Sequence, residues 1–270
     1  MNDNGLKFLE IGHGGDSRAI AVCAQPGALP GLFWLSGYKS DMKGTKAVAL
    51  AQWAEQTGRA CVRFDYSGHG ESGGAFTDGT IGRWLADSLA VFDACCHGPQ
   101  IFVGSSMGGW LALLLARELK RRSQRQPSAQ GGADGERPPA SIAGLVLIAP
   151  AVDFTEELMW KRLTPAIKRE LEQSGVWARP SQYSPEPYLV TRQLIEEGRN
   201  HLLLGSMIET GCPVRILQGV EDPDVPWQHA VELVSRLASD DVVLTLVKDG
   251  DHRLSLPEDI ERLIRAVAEF

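Results

Sequence analysis

The sequence predicts an α/β protein in which helices cover both faces of a mostly parallel β-sheet. Short runs rich in Val, Ile and Leu alternate along the chain with segments that have helical spacing. Nearly continuous apolar runs of this kind are typical of parallel strands that are buried on both faces. The chain has 270 residues, of which 43% are hydrophobic and 23% are charged, so it is long enough to bury a full core and has an ordinary globular composition.

Each element of this fold follows from a local pattern. The predicted strands are residues 18–24, 32–36, 60–64, 101–103, 142–149, 214–218 and 242–247. Between them, apolar residues recur at helical spacing, which predicts helices at residues 45–57, 81–92 and 107–122. A capping-box pattern that begins at Ser255 predicts the start of a C-terminal helix.

Two segments interrupt the alternation. Residues 123–140 contain few apolar side chains and many Gly, Pro and Gln residues. They bury too little to offset the entropy of ordering, so we expect a mobile surface insertion there. Residues 152–210 are charged, amphipathic and mostly helical in pattern. They predict a small helical cap between two strands of a core that comprises residues 1–151 and 211–270.

The charge and hydropathy patterns exclude several classes of protein. The formal net charge is −7, which argues against a nucleic-acid partner, because phosphate binding requires clustered cations. The dense basic run at residues 120–122 falls at a predicted helix end, where it complements the helix dipole. No apolar run reaches the roughly 18 residues that a membrane span requires, so we expect no membrane span.

Cysteine usage and the N-terminal segment bear on location. The five cysteines are scattered along the chain without metal-ligand spacing, so we expect reduced thiols and no bound metal. The first residues have neither the regions of a signal peptide nor the Arg-rich composition of a transit peptide. The sequence therefore predicts a cytoplasmic protein.

The run GSSMG at residues 104–108 lies between a predicted strand and a predicted helix and fits the nucleophile elbow G-x-S-x-G. Such a turn strains the backbone of the exposed residue, so the residues two before and two after it must be small. Ser106 has glycine at both positions, whereas Ser105 would have Val103 and Met107. Ser106 is the predicted nucleophile, and a glycine-rich turn with surface serines is the alternative that this context disfavours.

A serine hydroxyl needs an imidazole to take its proton and a carboxylate to orient the imidazole. In sheets with such an elbow, the acid and then the histidine follow later in the chain. His252 follows the last predicted strand and is the predicted base. Asp222 follows the strand at 214–218 and is the favoured acid, because such acids lie at the carboxyl ends of strands. Asp224 and Glu221 are the alternatives.

An oxyanion hole requires two backbone amides. One is predicted at Met107, the first residue after the nucleophile. The other usually lies in the loop after an earlier strand, here the strand at 32–36, which the sequence GYKS follows. The Tyr38 amide is our candidate, with an ordinary glycine turn as the alternative.

A second glycine pattern favours a different class of protein. Residues 68–73 read GHGESG, which matches the dinucleotide-binding pattern G-x-G-x-x-G after the strand at 60–64. The next helical pattern begins only near Thr80, so these glycines do not open a helix, and we expect a tight loop rather than a cofactor site. A catalytically silent binding scaffold is a further alternative.

Several longer strings carry a family resemblance. They are GYKSDMKGTKA, CVRFDYSGHGES, GPQIFVGSSMGGW, GVWARPSQYS, DVPW and DHR. With them the chain resembles the α/β-hydrolases from about Phe8 to Ala268. Within that superfamily it is similar to a branch of mitochondrial acyl-glucuronide esterases and palmitoyl-protein thioesterases, together with bacterial relatives. The insertion at 123–140 and the acidic run EDPD at 221–224 depart from that branch.

The resemblance implies a fold, a reaction and site residues. The fold is a mostly parallel eight-stranded sheet with helices on both faces and a small helical cap. The reaction is hydrolysis of carboxylic esters or thioesters of small or acyl-chain substrates through an acyl-enzyme, without a cofactor. The residues are Ser106, Asp222 and His252, in agreement with the analysis above. Peptide or carbon–carbon bond hydrolysis remains the alternative chemistry.

Large side chains and cations in and near the predicted cap are candidates for the substrate pocket. Trp160, Trp177 and Trp227 are candidates to line it, with core packing as the alternative. Arg192 and Arg199 are candidates to meet an anionic leaving group, with solvated helix charges as the favoured alternative.

Overall fold

The computed structural model of the chain describes residues 5–125, 138–180, 186–238 and 241–270. Its strands are β1 (Leu6–Ile11), β2 (Arg18–Gln25), β3 (Ala28–Leu35), β4 (Arg59–Phe64), β5 (Pro99–Ser105), β6 (Ser141–Ile148), β7 (Val176–Arg179), β8 (Tyr188–Thr191), β9 (Val214–Gly219) and β10 (Val242–Val247). An eight-stranded sheet has the order β1-β2-β4-β3-β5-β6-β9-β10. Only β2 runs against its neighbours, so the sheet is mostly parallel, as predicted.

The helices pack on both faces of this sheet. They are α1 (Thr45–Gln56), α2 (Ile81–Cys95), α3 (Met107–Arg125), α4 (Pro165–Ser174), α5 (Arg192–Gly198), α6 (Trp227–Arg236) and α7 (Pro257–Ala268). Successive side chains of β3 point to opposite faces and are buried on both. Phe33 and Leu35 lie in the core under α2, α3 and α6, while Leu32 and Trp34 lie in the core under α1 and α7. This double burial explains the continuous apolar runs in the sequence.

The predicted strands are all present within a few residues of their expected ends, and the predicted eight-stranded sheet is confirmed. The sequence patterns missed the edge strand β1. They also ended α3 too early, since this helix continues to Arg125. The basic run therefore lies inside the helix, where Lys120 pairs with Glu209 and Arg122 with Asp93. Residues 126–137 of the predicted insertion lie outside the described residues.

The start of α7 differs by one residue from the predicted capping box. Leu256 is the residue before the helix, and its backbone N–H donates to Oδ2 of Asp259 at 3.2 Å. The Ser255 hydroxyl instead donates to the Arg253 carbonyl at 3.0 Å. The carboxylate of Asp259, at the third helical position, thus accepts a hydrogen bond from the backbone N–H of the residue before the helix. This contact is one half of a capping box.

The segment at 152–210 contains more than helices. A π-helical turn (Thr155–Met159) and a 3-10 turn (Trp160–Arg162) lead to α4. Strands β7 and β8 then pair as an antiparallel hairpin, which the sequence patterns did not predict, and α5 follows. The boundary between core and cap stays a prediction.

Candidate active site

The elbow between β5 and α3 has the geometry that its glycines require. Ser106 has a φ of 54°, in the left-handed region that L-residues rarely adopt. A Cβ on Gly104 would lie 2.3 Å from the carbonyl oxygen of Gly108, and one on Gly108 would lie 2.0 Å from that of Leu35. Backbone therefore packs directly against both positions, and Ser106 is the serine that projects from the turn.

His252 lies between Ser106 and Asp222. Its Nε2 is 3.1 Å from Oγ of Ser106, and its Nδ1 is 2.7 Å from Oδ2 of Asp222. Because an ionised carboxylate only accepts hydrogen bonds, Nδ1 donates to Asp222 and Nε2 is left to accept the Ser106 hydroxyl hydrogen. The structure thus brings together three predicted residues that are far apart in the sequence.

Both oxygens of the Asp222 carboxylate accept hydrogen bonds. Oδ1 accepts the backbone N–H groups of Asp224 and Val225, each at 2.9 Å. Oδ2 accepts from Nε2 of Gln218 at 3.2 Å in addition to His252. The side chain is fully buried. This network fixes the carboxylate and, through it, the plane of the imidazole.

The alternative acids have other surroundings. The Asp224 carboxylate forms an ion pair with the Arg179 guanidinium at 3.0 Å. The Glu221 side chain is exposed, and its backbone N–H donates to the Gly250 carbonyl. Of the three predicted candidates, Asp222 is therefore the acid that contacts the imidazole.

The loop after β3 lies against the elbow. A Cβ on Gly37 would lie 3.3 Å from the Ser105 carbonyl oxygen, and the Ser40 N–H closes a turn on the Gly37 carbonyl at 3.1 Å. The Tyr38 amide has no hydrogen-bond partner among the described residues. The Met107 amide opens α3 and is one of those that a helix leaves without an internal partner. Both predicted oxyanion donors are thus available.

The glycine pattern at 68–73 forms a tight loop, and a short 3-10 turn rather than a helix follows it at Phe76–Asp78. A Cβ on Gly70 would lie 2.1 Å from Oδ2 of Asp65, and one on Gly68 would lie 2.7 Å from Cα of Phe76. These glycines therefore allow the loop to pack on itself.

An apolar cavity of about 660 Å³ opens beside Ser106 and His252. Its apolar lining includes Phe154, Leu158, Met159, Leu163, Ile167 and Trp177. Trp177 lines it as predicted, whereas Trp160 and Trp227 lie outside its lining. Arg162 and Arg179 are the cations on its wall.

A second cavity, of about 340 Å³, lies on the side of the β3 loop. It shares Ser106 and His252 with the first cavity, and its wall carries the cations Lys39, Lys46 and Arg253 and the carboxylate of Asp41. Burial, helped by the Arg253 charge, lowers the pKa of Lys46 to about 8. The second cavity therefore has a mostly polar wall with more cations than carboxylates, whereas most of the first cavity's lining is apolar.

The cations that the sequence suggested for the leaving group line neither of these cavities. Arg192 lies 3.6 Å from a carboxylate oxygen of Glu196, and Arg199 lies 2.8 Å from one of Glu156. Their side chains are surface charges, which was the favoured interpretation.

Two contacts join the β7–β8 hairpin to the loops around Ser106. The Tyr38 hydroxyl donates to the Leu189 carbonyl at 3.0 Å. The ion pair of Arg179 with Asp224 joins β7 to the loop that carries Asp222. The hairpin is thus connected to both the predicted oxyanion loop and the predicted acid loop.

One group of side chains in the described residues has the spacing of a metal site. Ligand atoms of Asp222, Asp224 and His252 lie within 4.8 Å of one another. Asp222 already accepts from His252 and from backbone amides, and Asp224 pairs with Arg179. The donors therefore satisfy each other and fit a hydrogen-bonded network.

None of the described helices combines the length and the apolar character of a membrane span.

Comparisons with known proteins agree with this architecture. Residues 26–266 match the sequence model of the Alpha/beta hydrolase family. The human mitochondrial palmitoyl-protein thioesterase ABHD10 is 38% identical over 256 residues, which is 94% of this chain and 77% of the relative. The expected cytoplasmic location is therefore wrong on this comparison, since that relative is named as a mitochondrial protein.

Solved structures also show that the chain has the fold of an alpha/beta hydrolase. A putative hydrolase from Agrobacterium vitis S4 is 49% identical, with a TM-score of 0.90 over 98% of this chain and 97% of that one. Alpha/beta hydrolase domain-containing protein 10 from mouse is 35% identical, with a TM-score of 0.81 over 98% and 97%. The predicted fold and the predicted enzyme class, a hydrolase, are confirmed.

Proposed function

Because the chain belongs to the alpha/beta hydrolase family, we propose that it is a serine hydrolase that cleaves carboxylic ester or thioester bonds. The observation that carries this proposal is the position of the His252 imidazole, within hydrogen-bond distance of both Ser106 Oγ and Asp222 Oδ2. Serine as the nucleophile favours acyl transfer through a covalent intermediate.

The proposed reaction has two halves. Ser106 Oγ attacks the acyl carbonyl carbon while Nε2 of His252 takes the hydroxyl proton. The tetrahedral intermediate collapses, the bond to the alcohol or thiol breaks, and His252 returns the proton to that leaving group. A water molecule, activated by the same imidazole, then attacks the acyl-serine and releases the carboxylic acid.

Developing charge on the carbonyl oxygen requires donors that are already in place. The backbone amides of Met107, at the start of α3, and of Tyr38, in the loop after β3, would supply them. Asp222 stabilises the imidazolium that forms in each half-reaction, and its burial strengthens this interaction.

The two cavities support a division of the substrate. The apolar cavity suits an acyl chain, in line with the name palmitoyl-protein thioesterase that the human relative bears. The polar cavity suits the alcohol or thiol. Its cations Lys39, Lys46 and Arg253 outnumber the one carboxylate that the described residues place on its wall, Asp41, and so favour a leaving group that carries negative charge.

Active-site labelling tests the nucleophile. A fluorophosphonate probe is expected to label the wild-type protein and the Ser105→Ala variant, because Ser105 is the adjacent hydroxyl outside the proposed triad. The Ser106→Ala variant is expected to lose the label. Unchanged labelling of Ser106→Ala would refute the assignment, and absence of label in the wild type would favour a silent scaffold.

Turnover tests the bond that is cleaved. We expect hydrolysis of p-nitrophenyl esters and of alkyl thioesters in a series from acetyl to palmitoyl, with kcat/KM rising as the chain fills the apolar cavity. The p-nitroanilides with the same acyl groups test the peptidase alternative. Faster cleavage of the anilides than of the esters would overturn the proposed bond class.

A further inference from the structure

The loop of residues 36–42, which carries the Tyr38 amide, is attached along its length to the loop of residues 65–73. At its start, the Tyr66 hydroxyl donates to the Ser36 carbonyl at 3.2 Å. At its end, the Met42 N–H donates to Oδ1 of Asp65 at 2.7 Å. Between these two contacts, the side chain of His69 accepts a hydrogen bond from the backbone of the loop.

His69 holds the backbone of Lys39. The Lys39 N–H donates to Nε2 of His69 at 3.1 Å, and Nδ1 of His69 lies 3.3 Å from the Ser67 carbonyl oxygen. An N–H group only donates and a carbonyl only accepts. These two partners therefore require the neutral imidazole with its proton on Nδ1 and a free lone pair on Nε2.

The surroundings of His69 keep its ring in that state and place. The side chain is buried, at 4% exposure, and the ring packs against those of Tyr66, Phe76 and Trp84 with centroid distances of 5.1 to 5.5 Å. Burial lowers the pKa of His69 to about 4. The ring thus stays a hydrogen-bond acceptor for Lys39 at neutral pH.

The residue that His69 holds is the one after the candidate oxyanion donor. Lys39 has a φ of 56°, a conformation that costs free energy in a residue with a Cβ and persists only where its surroundings enforce it. The hydrogen bond to His69 is such a constraint. On the other side of Tyr38, Gly37 is fixed by its packing on the elbow. The backbone is therefore held on both sides of Tyr38, whose own side chain donates to the Leu189 carbonyl.

We propose that His69 is a positioning residue for the oxyanion hole: by holding the Lys39 amide through Nε2, it aims the Tyr38 amide at the carbonyl oxygen of the substrate. This inference rests on the proposed function. It also gives the pattern GHGESG a role other than dinucleotide binding. The glycines shape a loop whose histidine binds the backbone of the loop that carries the Tyr38 amide.

The experiment compares His69→Leu, which removes the acceptor, with His69→Gln, whose amide oxygen restores an acceptor near the position of Nε2. His201→Leu is the matched control, because His201 is a half-buried histidine that hydrogen-bonds Glu197 rather than the 36–42 loop. Fluorophosphonate titration counts the competent sites in each sample, so that kcat refers to folded enzyme alone.

For His69→Leu we expect kcat per titrated site to fall about 10- to 100-fold. This is no more than the effect of removing one oxyanion donor outright. KM should stay within about 2-fold of the wild-type value. Binding of an alkyl trifluoromethyl ketone, which forms a tetrahedral adduct with an oxyanion, should weaken by the same factor as kcat/KM. His69→Gln should recover most of both losses, and His201→Leu should change neither.

Each other outcome overturns the inference. An unchanged kcat per titrated site in His69→Leu would mean that Lys39 needs no such support. Loss of competent sites with a normal kcat at those that remain, or equal losses in His69→Leu and His69→Gln, would indicate folding alone. Failure of the proposed function is distinguishable, because the wild-type enzyme would then show no label at Ser106 and no ester or thioester turnover.

Discussion

Oδ2 of Asp222 lies 2.7 Å from Nδ1 of His252, and the Asp222 side chain is fully buried. In this position a carboxylate fixes the imidazole tautomer that accepts a proton from serine. An asparagine there has nearly the same shape but can donate to Nδ1 and stabilise the wrong tautomer.

We therefore expect Asp222→Asn to lower kcat on a p-nitrophenyl ester by about 10⁴-fold. Asp224→Asn is the matched control, since Asp224 is paired with Arg179, and it should lower kcat by less than about 10-fold. A larger loss in Asp224→Asn than in Asp222→Asn would reverse the assignment of the acid.

The packing of the elbow leads to a prediction about stability. A Cβ on Gly108 would meet the Leu35 carbonyl oxygen at 2.0 Å, whereas one on Gly205 would have nothing within 4 Å. We expect Gly108→Ala to lower the free energy of unfolding by about 1–3 kcal/mol and to reduce fluorophosphonate labelling. Gly205→Ala should change neither the free energy of unfolding nor the labelling. Thermal unfolding and labelling of both variants check this, and equal behaviour would contradict it.

The buried Asp153 predicts a pH-dependent stability. Its carboxylate accepts the backbone N–H groups of Leu203 and Leu204, and burial raises its pKa from 3.8 to about 6. Since the folded pKa lies above the unfolded one, the stabilising contribution of Asp153 is complete below about pH 4 and is lost as the pH rises through 6.

The measurement is chemical denaturation of wild type and Asp153→Asn from pH 4 to pH 7. The difference in unfolding free energy, wild type minus variant, should fall by about 3 kcal/mol over this range, because about two pKa units are involved. A difference that does not depend on pH would show that Asp153 titrates alike in the folded and unfolded chains.

The polar cavity predicts a pH-dependent substrate preference. The pKa of Lys46 is lowered to about 8, so this cation is present below pH 8 and is lost above it. For thioesters with one acyl chain, we expect 3-mercaptopropionate to be favoured over 2-mercaptoethanol as the leaving thiol at pH 7. That preference should decline as the pH rises through 8.

Lys46→Met should reduce this ratio of kcat/KM values about 5-fold at pH 7 and remove its dependence on pH near 8. Lys248→Met, at an exposed lysine outside the cavity, is the matched control and should keep the wild-type ratio. An unchanged ratio in Lys46→Met would remove Lys46 from the leaving-group site.

The fold was predictable where burial dictates the sequence. Strands such as β5 and β6 are covered on both faces, so their apolar runs stand out, and the predicted sheet was correct. Edge strand β1 reads LKFLEI, with charged residues and an exposed Phe8, and it has no such run. The hairpin strands β7 and β8 are only four residues each and gave no periodic signal.

The candidate site was predictable where local geometry restricts residue choice. The glycines around Ser106 and the chain order of Asp222 and His252 identified residues that the structure brings together. The role proposed for His69 was not predicted, because it depends on a hydrogen bond to Lys39 across 30 residues. The sequence shows a histidine within a glycine-rich loop. It does not show that this histidine contacts the backbone of the 36–42 loop.

The attachment of the β7–β8 hairpin to two loops of the proposed active site has a consequence for enzyme engineering. The hairpin supplies Trp177 to the acyl cavity, but it also contacts Tyr38 through the Leu189 carbonyl and Asp224 through Arg179. A graft that exchanges this hairpin to alter chain-length selectivity therefore alters turnover as well. Grafts that retain the arginine at 179 and the strand backbone at 189 separate the two effects.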